Sequence, residues 1–146
     1  GSFLAPPFKV QMGSLPEYNL VNARQRYRED ALYTLQVGAY GRDDLERPTE
    51  ADLKEGRKAA EEAAATLRQE GELAFYYHGP NRSMVTVGVF TIDDFDPQTP
   101  GYQSGRLIET RKRFPHNLYN GAGIRITRPG QKPVLQGSRL VNLPER

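Results

Sequence analysis

Alternation of apolar and polar positions is clearest over residues 33–40, where Leu35, Val37 and Ala39 alternate with Thr34, Gln36, Gly38 and Tyr40. A period of two predicts a strand whose small aliphatic set packs under helices, with the polar and aromatic set on the opposite face. Residues 84–90 repeat the pattern: Val85, Val87 and Val89 are expected inward, and Met84, Thr86, Gly88 and Phe90 outward. The two stretches are related copies. Each carries Val-Gly, an aromatic two residues after the Gly, and then an acidic pair, Asp43-Asp44 or Asp93-Asp94. Such a repeat predicts two versions of one unit, a strand that leaves through an acidic turn.

Between the copies the period changes to that of a helix. Thr49 and Asp52 resemble a capping box, Gly71 is a good stop, and Gly56, Ala60, Ala63, Ala64 and Leu67 form one narrow face. Glu55, Lys58, Glu62 and Arg68 are expected in water. Residues 73–78 read as a second strand, with Phe75 and Tyr77 on one face and Tyr76 and His78 on the other. The turn residues Gly79-Pro80-Asn81-Arg82 then join it to the third strand as a hairpin. Ser104 can cap a second helix over residues 105–114 with Leu107, Ile108, the Arg111 stem and Phe114 inward, ended by Pro115. A final strand fits residues 138–143, while 96–105 and 117–137 read as long loops. The order predicts an α+β fold, a ferredoxin-like split β-α-β sandwich (βαββαβ), with an antiparallel sheet and two helices on one face. Residues 32–146 form this domain. Residues 1–31 are an N-terminal extension with an edge strand around Phe8, Val10 and Met12 and a thin helix over 16–31, built on Leu20, Ala23, Arg24 and Tyr27.

Composition narrows the chemistry. The 146 residues include no Cys, which removes disulfides, thiolate nucleophiles and Cys-ligated metals. No apolar run reaches the roughly 18 residues needed to span a bilayer. Gly1-Ser2 in place of an initiator Met suggests that a native export or anchor segment has been removed. Residues 1–101 carry 11 basic and 16 acidic side chains (net −5), whereas residues 102–146 carry 9 and 2 (net +7). The basic last third suggests attraction to an anionic partner, or equally a match between the halves of the molecule.

The repeated strands also carry a family resemblance. Tyr33-Thr-Leu-Gln36-Val-Gly38-Ala-Tyr40 and Met84-Val-Thr86-Val-Gly88-Val-Phe90 resemble the first and third strands of SPOR (sporulation-related repeat) domains. The Ala-rich helix that ends at Gly71 is similar to the helix between them. The likeness covers roughly residues 32–114 and the last strand. It implies this same element order, peptidoglycan glycan strands as ligand, and a place in the bacterial periplasm or cell envelope.

Candidate catalytic chemistry is sparse. His78 and His116, at a strand end and after a Pro, read as turn or surface histidines. The Asp pairs read as turn caps more readily than as metal ligands. Asn120-Gly-Ala-Gly123 lacks the Lys-Ser/Thr of a phosphate loop. The chain is therefore expected to be non-catalytic, with no cofactor and no metal. The sheet face opposite the helices is the expected ligand-binding surface, made of Gln36, Tyr40, Tyr76, His78, Met84, Thr86 and Phe90. Aromatics there can stack on sugars while Gln, Thr and His supply hydrogen bonds. The competing expectation is that residues 1–31 or 117–137 cover this face, because an open apolar sheet face is unusual. Two further readings remain: a protein-interaction or assembly module, and single-stranded nucleic-acid binding in the manner of RNA recognition motifs, for which the strand signature is missing.

Overall fold

The computed structural model describes residues 12–42 and 48–145. The edge strand expected around Phe8 and Val10 lies outside them, as do Asp43 and Asp44. Strands β1 (Tyr33–Gly41), β2 (Ala74–His78) and β3 (Arg82–Phe90) and helices α2 (Glu50–Gln69) and α3 (Gly105–Arg113) occupy the expected places, after a one-turn helix α1 (Ala23–Arg26). The fold is mixed α+β with a mostly antiparallel sheet and three helices among the described residues.

Local chemistry sets the helix ends. At α2 the Thr49 hydroxyl accepts from Asp52 N–H at 3.1 Å and the Asp52 carboxylate accepts from Thr49 N–H at 2.9 Å. That reciprocal pair satisfies two donors the helix cannot. Gly56 faces β1 so closely that an added Cβ would stand 3.2 Å from the Tyr40 carbonyl oxygen. A narrow helix face is what permits this approach. Ser104 caps α3 through Leu107 N–H at 3.1 Å. On α3 Leu107 and Thr110 are buried and Ile108 is exposed, which corrects the expected inward position of Ile108.

In the sheet β3 lies between β2 and β1. The other edge of β1 is shared. β8 (Arg139–Asn142) runs antiparallel along residues 33–36, and β4 (Leu118–Tyr119) runs parallel beside Gly38 and Ala39. The segment expected as loop, 117–137, holds β4 and three more two-residue strands: β5 (Ala122–Gly123) against β4, and the ribbon β6 (Arg125–Ile126) with β7 (Val134–Leu135).

Both members of the sequence repeat contain a β-bulge, and these reverse the expected faces. Gln36 lies opposite Thr86 but Gly38 lies opposite Val85, so Val37 is an extra residue on β1. Tyr33 lies opposite Phe90 and Leu35 opposite Val87, so Gly88 and Val89 together face Thr34. An extra residue flips the alternation beyond it. Tyr40 and Phe90 therefore turn back toward the helices and pack against the core of Leu35, Val37, Ala60, Ala64, Val85, Val87 and Leu107. Ala39, paired with Met84, and Val89 turn the other way, against expectation.

The opposite face has its own core. Phe75 and Val89 are buried with Leu20, Ala23, Ala31 and Leu143, and Met84 and Tyr77 pack against them. Residues 16–31 thus cover this part of the sheet. They do so as two 3₁₀ turns (Pro16–Tyr18 and Leu20–Asn22) followed by α1, in place of the single expected helix. The Asn19 side chain accepts from Val21 N–H at 3.0 Å and restarts the helical run, the competition with backbone typical of Asn. Arg68 of α2 clamps the segment, its guanidinium lying 4.5, 5.4 and 5.0 Å from the rings of Tyr18, Tyr27 and Phe75.

Candidate functional site

The bulges and the covering segment divide the seven expected ligand-binding residues. Tyr40, Tyr76, His78 and Phe90 lie on the helix side; Gln36, Met84 and Thr86 lie on the opposite side. They do not form one surface. Tyr76 and His78 keep the alternation expected within β2, but the strand's register pairs them with Val85 and Ser83, on the face that α2 covers. Phe90 and Thr86 are fully buried, and Met84 packs under the N-terminal segment. Among the described residues the Thr86 hydroxyl has no hydrogen-bond partner. Gln36 borders an open polar cleft on the face opposite the helices, whereas Tyr40 borders depressions on the helix side.

His78 is a core residue, not the surface histidine expected from its strand-end position. It is 0% exposed and stacks on Tyr76 with ring centroids 4.6 Å apart. Its Nδ1 meets Ser83 Oγ at 2.7 Å and its Nε2 meets Glu61 Oε2 at 2.9 Å. The other oxygen of Glu61 accepts from Ser14 N–H at 2.8 Å and from the Ser14 hydroxyl. Burial lowers the pKa of His78, so the ring is neutral near pH 7 and donates from Nε2 to the carboxylate. For Glu61 burial opposes ionisation, but the bonds from Ser14 and His78 outweigh it and its pKa falls. Burial and the nearby Glu61 charge push Tyr76 up to about 12. The composition Ser-His-Glu invites a catalytic reading. Ser83, however, is only 2% exposed, so no substrate carbonyl reaches its oxygen. The chain of bonds instead fastens residues 12–15 across the end of the sheet, where the Tyr76 hydroxyl also donates to the Met12 carbonyl.

Asp94 of the second acidic pair likewise serves the fold. Asp94 accepts from Thr91 N–H at 2.9 Å, from the Ser104 hydroxyl at 2.6 Å and from Arg106 at 2.6 Å, which ties the 91–104 loop to the start of α3. Among the described residues no three His, Asp or Glu side chains converge to hold a metal ion. Among the described residues no helix is long and apolar enough to cross a membrane.

Two open cavities deserve comparison. The larger, about 610 Å³, lies on the helix side between α2 and residues 113–118, lined by Val37, Tyr40, Ala63, Leu67, Phe114 and Leu118. Its surface is mainly apolar, with Glu62, Thr66, Arg113 and His116 also among its lining residues. The smaller, about 520 Å³, lies on the opposite face where β4 and β8 fork along β1. Gln36, Asn117 and Gln136 line it with Arg82, Tyr119 and Arg139.

The fork builds this cleft. Arg139 is the strand partner of Gln36 on β8, and Tyr119 is the partner of Ala39 on β4. The ends of the intervening chain are pinned together, with Asn117 N–H donating to the Gln136 carbonyl at 3.1 Å and Ser138 N–H to the Pro115 carbonyl at 3.0 Å. Asn117 is buried and links the other two amides: its Oδ1 accepts from Gln36 Nε2 at 3.4 Å and its Nδ2 donates to Gln136 Oε1 at 2.8 Å. The relay uses the amino group of Gln36 and the carbonyl of Gln136. It leaves the carbonyl of the first and the amino group of the second, a complementary acceptor and donor, for a ligand. Asn117, Gln136, Arg82, Tyr119 and Arg139 were not predicted from the sequence. The only signal was that amides stand at or beside both ends of the long 117–137 segment.

No family model, curated protein or solved structure matches this chain.

Proposed function

We propose that the chain is a non-catalytic glycan-binding module of a bacterial cell envelope, and that its ligand is the glycan strand of peptidoglycan. The single observation that carries this reading is the amide relay Gln36–Asn117–Gln136 along an open cleft of about 520 Å³. Sugars present hydroxyl and acetamido groups that both donate and accept, and fixed amides meet them with paired bonds at little entropic cost. Arg82 and Arg139 at the same cleft suit carboxylate-bearing sugars. The strand order β2-β3-β1-β8, with α2 and α3 packed into one core, supports a ferredoxin-like βαββαβ arrangement and with it the resemblance to SPOR domains. The proposed site differs from the one expected from sequence: it keeps Gln36 and replaces the buried aromatics with the residues of the fork.

Retention of the protein on purified sacculi tests this. The unaltered chain is expected to be retained. Gln36→Ala combined with Gln136→Ala should lower retention about tenfold, roughly the loss of two hydrogen bonds. Tyr40→Phe, on the other side of the sheet, should leave it unchanged. Absence of retention, or retention indifferent to the two amides, rejects the proposal.

A further inference from the structure

We infer that the β6–β7 ribbon is a contact surface for an anionic lipid bilayer. Between Asn117 and Pro144 the chain has no acidic residue and four basic ones, Arg125, Arg128, Lys132 and Arg139. Three of these lie on or between the ribbon strands. Arg125, Arg128 and Lys132 are exposed, and none is in an ion pair among the described residues. Beside them stand Val134 at 58% and Leu135 at 44% exposure.

The ladder explains why both aliphatics stay exposed. Arg125 pairs with Leu135 and Ile126 with Val134 in a ribbon two residues long, too small to bury either aliphatic fully even though Leu135 packs over Gly123. Arg125, Lys132, Pro133, Val134 and Leu135 surround one open depression of about 460 Å³, which puts cations and aliphatic surface within reach of the same partner. A charge-only partner gives no reason for exposed Val and Leu. A single-stranded nucleic acid needs rings to stack on, and residues 122–138 contain none. An anionic bilayer meets both features, with phosphates for the basic side chains and the boundary of the acyl region for the aliphatic ones. This inference does not rest on the glycan cleft, which lies at the fork and uses other side chains.

Co-sedimentation of the whole chain with lipid vesicles provides the test. The protein should pellet with vesicles that contain phosphatidylglycerol and stay in solution with pure phosphatidylcholine. Raising salt to about 1 M, where the screening length falls to about 3 Å, should release most of it. Arg125→Glu with Lys132→Glu should weaken binding tenfold or more, on the order expected for two cations at a charged surface. Val134→Ser with Leu135→Ser should weaken it about fivefold while the melting temperature and retention on sacculi stay as in the unaltered chain. Equal partition between the two vesicle types overturns the inference, as does no pelleting. So does binding to an oligonucleotide or to anionic vesicles that ignores the loss of Val134 and Leu135.

Discussion

The sheet face turned away from α2 has two ends with opposite fates. At one end Phe75, Met84 and Val89 are sealed beneath Leu20, Ala23, Ala31 and Leu143. At the other, Gln36 and Ala39 floor a cleft walled by Asn117, Tyr119, Gln136 and Arg139. One surface thus recruits a cover and keeps an opening. Aliphatic and aromatic side chains gain from being taken out of water, so the first end draws the N-terminal segment onto itself. A similar cover over Gln36, Arg82 and Arg139 would strand polar groups without partners, which costs more than it returns. On this face the fork of β4 and β8 shapes the opening, and side-chain polarity decides which end stays in water.

The sharpest way to break the sealed end is Leu20→Ala. It should cost about 2–5 kcal/mol, measured by denaturant unfolding. Retention of the remaining folded protein on sacculi should not change, because the open end is untouched. Loss of both together would mean that the two ends are one unit.

The bulges sharpen the comparison next, since they decide which residues reach which face. Gly88 has φ +79° and an added Cβ would lie 2.7 Å from the Phe90 ring, so Gly88→Ala should cost about 1–3 kcal/mol. Gly38 has no positive φ, and its nearest neighbour to an added Cβ is the Leu118 carbonyl at 3.7 Å. Gly38→Ala should therefore stay within about 1 kcal/mol. Equal losses would show that the two copies of the motif solve the bulge in the same way.

Acid should loosen the strap that leads into the sealing segment. His78 is held below its ordinary value of 6.5 and Glu61 below 4.5. A group whose pKa is depressed by folding stabilises the native state above its unfolded value, and that contribution is lost as pH falls toward the folded one. The melting temperature should accordingly be level above about pH 6.5, fall below it, and fall again below about pH 4.5. His78→Gln should remove the first step and leave the second. A profile identical to that of the unaltered chain would deny His78 this part.

The smallest effect is expected at Thr86, whose buried hydroxyl has no partner among the described residues. Thr86→Val keeps the shape, removes the unsatisfied group and should stabilise by up to about 1 kcal/mol. Binding to sacculi should be unchanged, which would separate Thr86 from the site that its neighbour Gln36 borders.

Much of the architecture was legible because it rests on local rules. The Thr49–Asp52 capping box, the Ser104 cap, the hairpin turn and the strand periods all announce themselves within a few residues. The face assignment was not. Strict alternation put Tyr40, Phe90 and Ala39 on the wrong sides, since a bulge is a property of two paired strands and leaves little trace in either one. The repeated Val-Gly marked the place of both bulges, though as a sequence pattern it reads only as a repeat. His78 was missed for a related reason. Its partner Glu61 lies 17 residues away on a helix, and pairing of that kind depends on packing. Of the candidate site, Gln36 was found because it is on a strand. Asn117 and Gln136 were not, because their approach depends on how the final third of the chain folds back.

The covering N-terminal segment also bears on how the protein can be handled. Asn19 forms a parallel bridge with Tyr76 on the outer side of β2, and Arg68 Nε donates to the Ala74 carbonyl of the same strand. Together they occupy the edge at which another sheet could dock and extend. A shortened protein that starts at Ala31 would lose Asn19 and bare the edge at Tyr76, with Arg68 left at Ala74, and it should self-associate more than the longer chain. For anyone cutting out the domain, the safe boundary lies before Met12.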